Sequence, residues 1–329
     1  MKVLITGGAG FIGYHLTNEF LSQGYEVTIV DNFSRGVQDS FLLALEKDHG
    51  VKFVSADLMD DSNYDKFDKD FDYIVHLAAI IGVQNVINRP YDVLRLNVEL
   101  LIKMIAYAKQ QKDLKRFLFA STSEIYAGTL EFYDMEIPTP ETTPLTITPL
   151  ESPRTSYMLS KIYGEALLRQ SGLKYTIFRP HNFYGPRMGM SHVIPEQLKK
   201  AYFSEDGAKI DVFSVNHKRT FCYISDAVRM IRLIAESDKT VGEAFNIGNE
   251  KPEVTIQHVA ETVLKVVGKP LTINPMPATL GSPERRCPSM KKMKEFTGYE
   301  GMVSLEEGIQ KTFDWYKKNI FDGNEVCAK

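Results

Sequence analysis

At 329 residues, with 43% hydrophobic and 25% charged residues and a formal net charge of −3, the chain can bury a full core and reads as two domains or one large one. No basic excess points to nucleic acid, no block of like charge reads as a tail, and no apolar stretch approaches the ~20 residues that span a bilayer. Its cysteines, Cys222, Cys287 and Cys327, are too scattered for a disulfide framework or a metal box, as are its histidines, so a reduced, cytoplasmic protein with no structural metal is expected.

The first element is a short apolar strand, Lys2 to Thr6, running into a turn with glycines at Gly7, Gly10 and Gly13. An apolar run that feeds a glycine turn is a strand and not a signal peptide. Gly7 permits a sharp turn, Gly10 leaves room for phosphates, and Gly13 lets the following helix pack close to the strand. The N–H groups of that helix's first turn, around Phe11 and Ile12, point at an anion, so the turn predicts a bound dinucleotide. Ile12, Leu16 and Phe20 recur at helical spacing, which makes Gly13 the opening of a helix that Gly24 ends. Glu26 to Val30 is a second buried strand with Asp31 and Asn32 at its tip, about 20 residues past the turn. An acid there binds the ribose 2′-hydroxyl of NAD and repels the 2′-phosphate of NADP, although Arg35 nearby leaves NADP open.

Strand and helix continue to alternate. Val51 to Val54 ends at Asp57-Leu58, and Tyr73 to Leu77 ends at Ala78-Ala79. An amphipathic run from Val93 to Ala108 precedes the strand Arg116 to Ala120, and a helical run from Tyr157 to Gln170 precedes the strand Lys174 to Phe178. Near-continuous apolar strands separated by helices imply an α/β fold with a parallel sheet covered on both faces. The proline cluster from Pro138 to Pro153 has little periodicity and reads as a binding loop, a lid or a passive excursion.

Two clusters carry chemistry. Tyr157 and Lys161 lie four apart on one helix face. A free tyrosine with a pKa of about 10 is a poor base at neutral pH, and a neighbouring ammonium or an oxidised nicotinamide lowers it. The strand ending at Ala120 leads to Thr122, Ser123 and Glu124, beyond the carboxyl end of a parallel strand, where ligands of such sheets bind. Thr122 can hydrogen-bond the hydroxyl being oxidised, and the Glu124 carboxylate has no packing role.

As an ordered set these features resemble the extended short-chain dehydrogenase/reductases that modify nucleotide sugars, the epimerases, 4,6-dehydratases and decarboxylases. The resemblance runs from the glycine turn through Asp31, Asp57-Leu58, Leu77-Ala78-Ala79, Asn97, Thr122 and Tyr157/Lys161. It continues to Arg179-Pro-His-Asn182-Phe-Tyr-Gly-Pro-Arg187, Arg219-Thr-Phe, Phe245-Asn-Ile-Gly248 and Ser304-Leu-Glu-Glu-Gly308. It implies a Rossmann-type doubly wound parallel sheet with a smaller, interleaved C-terminal substrate domain. The first would hold residues 1–180 and parts of about 214–248, and the second about 181–213 and 249–329. It implies NAD held by the residues named above, including Asn97, with Tyr157 as the base for a C4 hydroxyl and Lys161 on the nicotinamide ribose. Asn182, Arg187, Arg219 and Arg286 would contact a nucleotide-diphosphate sugar. A homodimer through the two long helices is expected on the same grounds.

Such enzymes share oxidation at C4 and then diverge. A 4,6-dehydratase needs an acid where this chain has Ser123, and a hydroxyl is too weak to replace it. A 4-epimerase leaves Glu124 without a task, whereas a Ser-Glu pair here is similar to uronate decarboxylases. The sequence leans to decarboxylation or 4-epimerisation. Release of the 4-keto sugar and a non-catalytic NAD-sensing protein remain alternatives, the latter opposed by intact Thr122, Tyr157 and Lys161.

Overall fold

The computed structural model describes residues 1–279 and 281–323; Cys327, counted above, lies outside them. Its centre is a sheet of seven parallel strands: β1 (Lys2–Thr6), β2 (Glu26–Asp31), β3 (Lys52–Ser55), β4 (Tyr73–His76), β5 (Arg116–Ala120), β6 (Tyr175–Pro180) and a last strand, Ala244–Ile247. They lie side by side in the order Ala244–Ile247, β6, β5, β4, β1, β2, β3. From β1 the chain steps outward one way to β3, then returns and steps the other way from β4. The connections therefore diverge between β1 and β4 and leave a crevice at the carboxyl edge.

Side-chain alternation explains why both faces are covered. Val3, Ile5, Ile29, Val75, Leu118 and Phe178 enter one core, and their neighbours Leu4, Val30, Ile74, Phe117, Phe119 and Ile177 enter the other. The first face carries α1 (Phe11–Ser22) packed on the later helix Ile224–Glu236; the second carries Leu101, Met104 and Leu168 of the two long helices. The register is level, with Thr6 opposite both Val30 and His76, and Ala120 opposite Phe178. The tips of β1, β4, β5 and β6 thus open on the same edge.

Several elements start earlier than periodicity indicates. α1 begins at Phe11 with Gly10 as its cap, so Gly13 lies inside the helix and does not open it. A Cβ at Gly13 would stand 2.5 Å from Gly8 Cα and 2.6 Å from the Gly7 oxygen, so its task is close packing. After α2 (Ser40–His49) and the short α3 (Val83–Asn88), the long helix α4 spans Pro90–Ala108; α5 (Ala127–Phe132) is followed by α6, Pro153–Arg169. Both α4 and α6 open on a proline, which has no N–H to leave unpaired there.

The proline-rich segment is stapled down along its length. Thr139 exchanges backbone bonds with Cys287 and Ser289 at 2.9 Å each, and Thr155 Oγ1 donates to the Pro149 carbonyl at 2.6 Å. After β6 the chain leaves the sheet and builds short parallel pairs, Phe183–Tyr184 with Cys222–Tyr223 and Lys209–Phe213 with Thr272–Met276. A three-stranded piece joins Val254–Thr255, Lys218–Arg219 and Arg285–Arg286. No helix among the described residues is long and apolar enough to cross a membrane, and no cluster of His, Cys, Asp or Glu there is arranged for a metal. Cys222 and Cys287 are free and buried.

One buried ion pair ties these parts to the sheet. Asp39 accepts the Leu42 N–H at 2.8 Å as the cap of α2, and its other oxygen accepts Arg187 Nε at 3.0 Å and Nη2 at 2.6 Å. The same guanidinium lies 4.1 Å from the centre of the Tyr14 ring in α1. Removing one partner leaves a charge buried and unpaired, so Asp39→Ala is expected to cost about 3–5 kcal/mol. Urea denaturation measures this, and a loss below ~1 kcal/mol contradicts it.

Candidate active site

The first wall of the crevice is the glycine turn. Gly7 has φ of +69°, and a Cβ there would meet Ala78 N at 2.9 Å, so the turn must be glycine to lie against the β4 tip. Gly8, passed over in the sequence, is equally constrained, because a Cβ would stand 2.4 Å from Ile29 Cγ2. Gly10 faces open space apart from the Gly7 oxygen at 3.2 Å, and no side chain caps α1. That leaves unencumbered N–H groups at Phe11, Ile12 and Gly13 for an anion. Asp31 stands behind the turn. Its Oδ2 accepts the Ala9 N–H at 3.1 Å and its Oδ1 the Phe33 N–H at 2.8 Å, while burial pushes its carboxyl above the usual range.

Asn32 and Asp57 are exposed and fold onto their own backbones, accepting Ser34 N and Met59 N. Leu58 is buried and its carbonyl accepts the Tyr64 hydroxyl. Leu77, Ala78 and Ala79 extend β4 along the turn, the first two bonded to Thr6 at 3.1 and 3.3 Å. Asn97 braces this strand tip, with Oδ1 accepting Ile80 N at 2.7 Å and Nδ2 donating to the Ile80 carbonyl at 3.0 Å. A bracing residue of this kind is recognisable only when α4 is docked.

The second wall is the β5 tip with α6. Thr122 Oγ1 accepts the Glu124 N–H at 3.2 Å, and the same side chain lies near enough to the Tyr157 hydroxyl to draw its pKa down. Lys161 Nζ donates to the Ala120 carbonyl at 2.7 Å and lies 5.8 Å from the centre of the Tyr157 ring. The expectation that the lysine lowers the tyrosine's pKa is corrected here. Burial pushes the phenol well above its ordinary value and the Glu124 carboxylate adds to this, against Thr122 and Arg35, which pull it down. Burial also draws Lys161 down to about 7. At this depth desolvation outweighs the attraction of a lone ammonium.

Glu124 is tied across the crevice to an arginine. Its Oε1 accepts Arg286 Nη2 at 3.0 Å, and Arg286 Nη1 approaches Ser123 Oγ at 3.5 Å. Arg286, aided by Arg154 and Arg219, holds the Glu124 carboxyl below the usual carboxylate range against its burial. Arg286 and Arg219 are register neighbours in the small sheet, and burial beside Arg286 lowers Arg219 to about 10. Arg219 is held by the Lys218 carbonyl at 2.7 Å, Ser282 Oγ at 3.1 Å and the Pro283 carbonyl. Asn182, at φ of +44°, donates to the Thr220 carbonyl at 2.8 Å, next to Arg219.

Asn182, Arg219 and Arg286 therefore come together with Thr122, Ser123, Glu124, Tyr157 and Lys161. Arg187 does not join them, since Asp39 takes its Nε and Nη2 and Tyr14 covers its face, leaving only the buried Nη1 without a partner. Sequence spacing passes over Arg154, because nothing local distinguishes it from a surface arginine at a helix start. It also passes over the buried layer beneath the site, where Ser121, Glu165, Arg179 and Tyr126 are linked at 2.6 to 2.9 Å.

A glycine turn on the first strand of a doubly wound sheet, facing a Thr/Tyr/Lys cluster, is the arrangement of a nicotinamide-dependent enzyme. Residues 3–248 match the model of the NAD dependent epimerase/dehydratase family, and the chain belongs to that family. UDP-glucuronic acid decarboxylase 1 of Xenopus tropicalis is 31% identical, over 97% of this chain and 73% of its own. UDP-N-acetyl-alpha-D-glucosaminuronate decarboxylase of Bacillus cytotoxicus is also 31% identical, over 96% and 98%. Among solved structures, UDP-glucose 4-epimerase of Thermotoga maritima is similar at 29% identity, with a TM-score of 0.81 over 97% of this chain and 100% of the other. UDP-glucuronic acid 4-epimerase of Bacillus cereus, in complex with UDP-glucuronic acid and NAD, has 26% identity and a TM-score of 0.82, over 97% and 99%. NAD is thus the cofactor, and the open space at Gly10, the uncapped α1 and the Asp31 carboxylate fit it.

A lysine with a lowered pKa makes folding pH-dependent. The folded chain releases the Lys161 proton near pH 7 and the unfolded chain near 10.5, so the unfolded state binds more protons between them and stability rises with pH. Lys161→Met is expected to flatten that rise in denaturation midpoints taken between about pH 7 and 9. Equal slopes in the two proteins would remove burial as the cause.

Proposed function

We propose that this chain is an NAD-dependent decarboxylase of a nucleotide-diphosphate uronate, oxidising the sugar at C4 and then releasing its C5 carboxyl group as carbon dioxide. The observation that carries this reading is Arg286, held by Glu124 and close to Ser123, beside the Thr122/Tyr157 pair. A guanidinium suits a carboxylate because it can donate two parallel hydrogen bonds. Uridine diphosphate is the proposed carrier, as in the names of the relatives. In this reading residues 1–180 and part of 214–248 hold NAD, while 181–213 and 249–329 hold the sugar nucleotide through Asn182 and Arg219.

Bound at the glycine turn, NAD supplies the hydride acceptor for C4 and later the hydride donor. Tyr157 releases its own proton to solvent when the positively charged cofactor is bound beside it, and as the phenolate takes the proton of the C4 hydroxyl, while Thr122 holds the same oxygen. The ketone makes the substrate a β-keto acid, whose C5 carboxylate Arg286 holds. The bond from C5 to the carboxyl carbon breaks, its electron pair enters the C4 enolate, and carbon dioxide leaves. No base is needed at C5. The enolate oxygen remains with Tyr157 and Thr122, and C5 takes a proton from the Ser123 hydroxyl, which Arg286 polarises and solvent replenishes. Tyr157 finally returns its proton to the C4 oxygen.

A 4-epimerase is the second reading, favoured by the solved structures of that name. Thr122, Tyr157 and Lys161 suffice for it, and it leaves the Glu124–Arg286 pair without a task.

The working protein is proposed to be a homodimer. α4 and α6 pack side by side, and their outer faces expose Tyr91, Ile102 and Tyr163, apolar surface that a second copy would cover. Ile102→Lys is expected to sediment as one chain where the parent sediments as two.

Incubation with a panel of nucleotide sugars that includes uronates, followed by mass spectrometry, tests the activity. A product lighter by carbon dioxide is expected, and an unchanged mass with an inverted C4 would make the protein an epimerase. Tyr157→Phe should retain NAD binding and lose hydride transfer. Near-normal turnover in that variant would sink the assignment of the base.

A further inference from the structure

The Asn246 side chain, in the last strand of the large sheet, has no exposed surface. Its Nδ2 donates to the Thr139 carbonyl at 2.9 Å. That bond fixes which end of the amide is oxygen, so Oδ1 accepts the Tyr126 hydroxyl at 3.0 Å and His181 Nε2–H at 3.1 Å. Its backbone N–H donates to the Glu141 carboxylate at 2.8 Å. Every one of these groups is an oriented partner that a buried amide cannot leave unpaired without cost.

The two ends of the amide lead to opposite sides of the pair at the β5 tip. Tyr126 closes the short helical turn Ser123–Tyr126, the turn that presents Ser123 and Glu124. Thr139 lies beside the segment that follows Arg286, receiving Ser289 N–H on its carbonyl and donating its own N–H to the Cys287 carbonyl, each at 2.9 Å. One planar group therefore spans the carrier of Glu124 and the carrier of Arg286. These carriers are separated by more than 160 residues of sequence, as the Glu124–Arg286 bond itself spans 162 positions.

We propose that Asn246 is a positioning residue that sets the separation of Glu124 and Arg286, holding Tyr126 through Oδ1 and Thr139 through Nδ2. Glu124 lies on a turn and Arg286 on a two-residue strand, and neither element is long enough to fix a side chain alone. The amide supplies the missing constraint from the rigid edge of the sheet. Misplacement by about 1 Å is enough to cost on the order of a hundredfold in rate at a reacting centre. The kinetic consequence rests on the decarboxylase reading; the geometric one does not.

Two variants test the two ends. Asn246→Leu keeps nearly the same volume and removes both ends; Tyr126→Phe keeps the ring and removes only the hydroxyl by which Glu124's turn reaches Asn246, a hydroxyl that also accepts Arg179 Nη1. The readout is the ionisation of Glu124, followed by carbon-13 spectra of glutamate-labelled protein, with Glu124→Gln assigning the resonance. The charged or titratable groups facing Glu124 are Arg286, Arg154, Arg219 and Tyr157, and only the first is tied to Asn246 through Thr139. In the parent Glu124 should titrate below the ordinary carboxylate value, and in either variant it should move up toward it. A second readout is turnover of a uridine-diphosphate uronate, expected to fall about tenfold or more, with no further loss when the change is made in a Glu124→Gln background. If Asn246→Leu does not fold, Tyr126→Phe decides. A folded variant in which Glu124 titrates as in the parent overturns the proposal. A shifted Glu124 with unchanged turnover supports the positioning and overturns the catalytic role given to the Glu124–Arg286 pair, whereas a parent protein that leaves the uronate intact overturns the decarboxylase reading instead.

Discussion

The site depends on a buried ion pair that touches no part of the crevice. Arg179, at the end of β6, meets Glu165 of α6 through Nε at 2.9 Å and Nη2 at 2.7 Å, and both side chains are sealed from solvent. Glu165 also accepts the Ser121 hydroxyl at the β5 tip, and Arg179 donates to Tyr126 and to the Glu141 carbonyl. Burying two charges is expensive, and their attraction offsets that cost only when the remaining hydrogen bonds are made. Here they are made to three different segments. The pair thus fixes α6, with Tyr157 and Lys161, against the strand tip that carries Thr122 and Glu124.

Above that layer the site works by opposed desolvation. The crevice brings together a phenol, an ammonium, a partly exposed carboxylate and several guanidinium groups. Burial raises the phenol and lowers the ammonium, whereas the Glu124 carboxyl is held below the usual carboxylate range by Arg286 hydrogen-bonded to it. A tyrosine that is protonated in the isolated protein and a carboxylate that is not are groups with separate tasks. The pairing logic also separates two arginines of equal promise. Arg286 keeps one face toward Ser123 and the crevice, while Arg187 is spent on Asp39 and stabilises the fold.

Local features were legible in the sequence wherever the physics is local. The glycine turn is readable because the absence of a Cβ is a property of the residue, and the Tyr157/Lys161 pair because helical spacing puts the two on one face. The alternation of apolar strands and amphipathic helices implied a parallel sheet covered on both sides. Helix starts at Pro90 and Pro153 were missed because the first turn of a helix is polar and shows no period. The proline-rich segment defied classification because its bonds run to Thr129, Arg179, Asn246 and Cys287, partners far along the chain.

The sequence by itself determined the fold class, the dinucleotide turn and the presence of a Thr/Tyr/Lys redox cluster, since each follows from residue type and short-range spacing. Only the tertiary structure decided which charges face one another. It brought Arg286 across 162 positions to Glu124, withdrew Arg187 to Asp39, and turned the tyrosine's pKa upward through burial. The reason is that charge interactions and desolvation depend on distance and depth in three dimensions, and neither quantity is encoded in spacing along the chain.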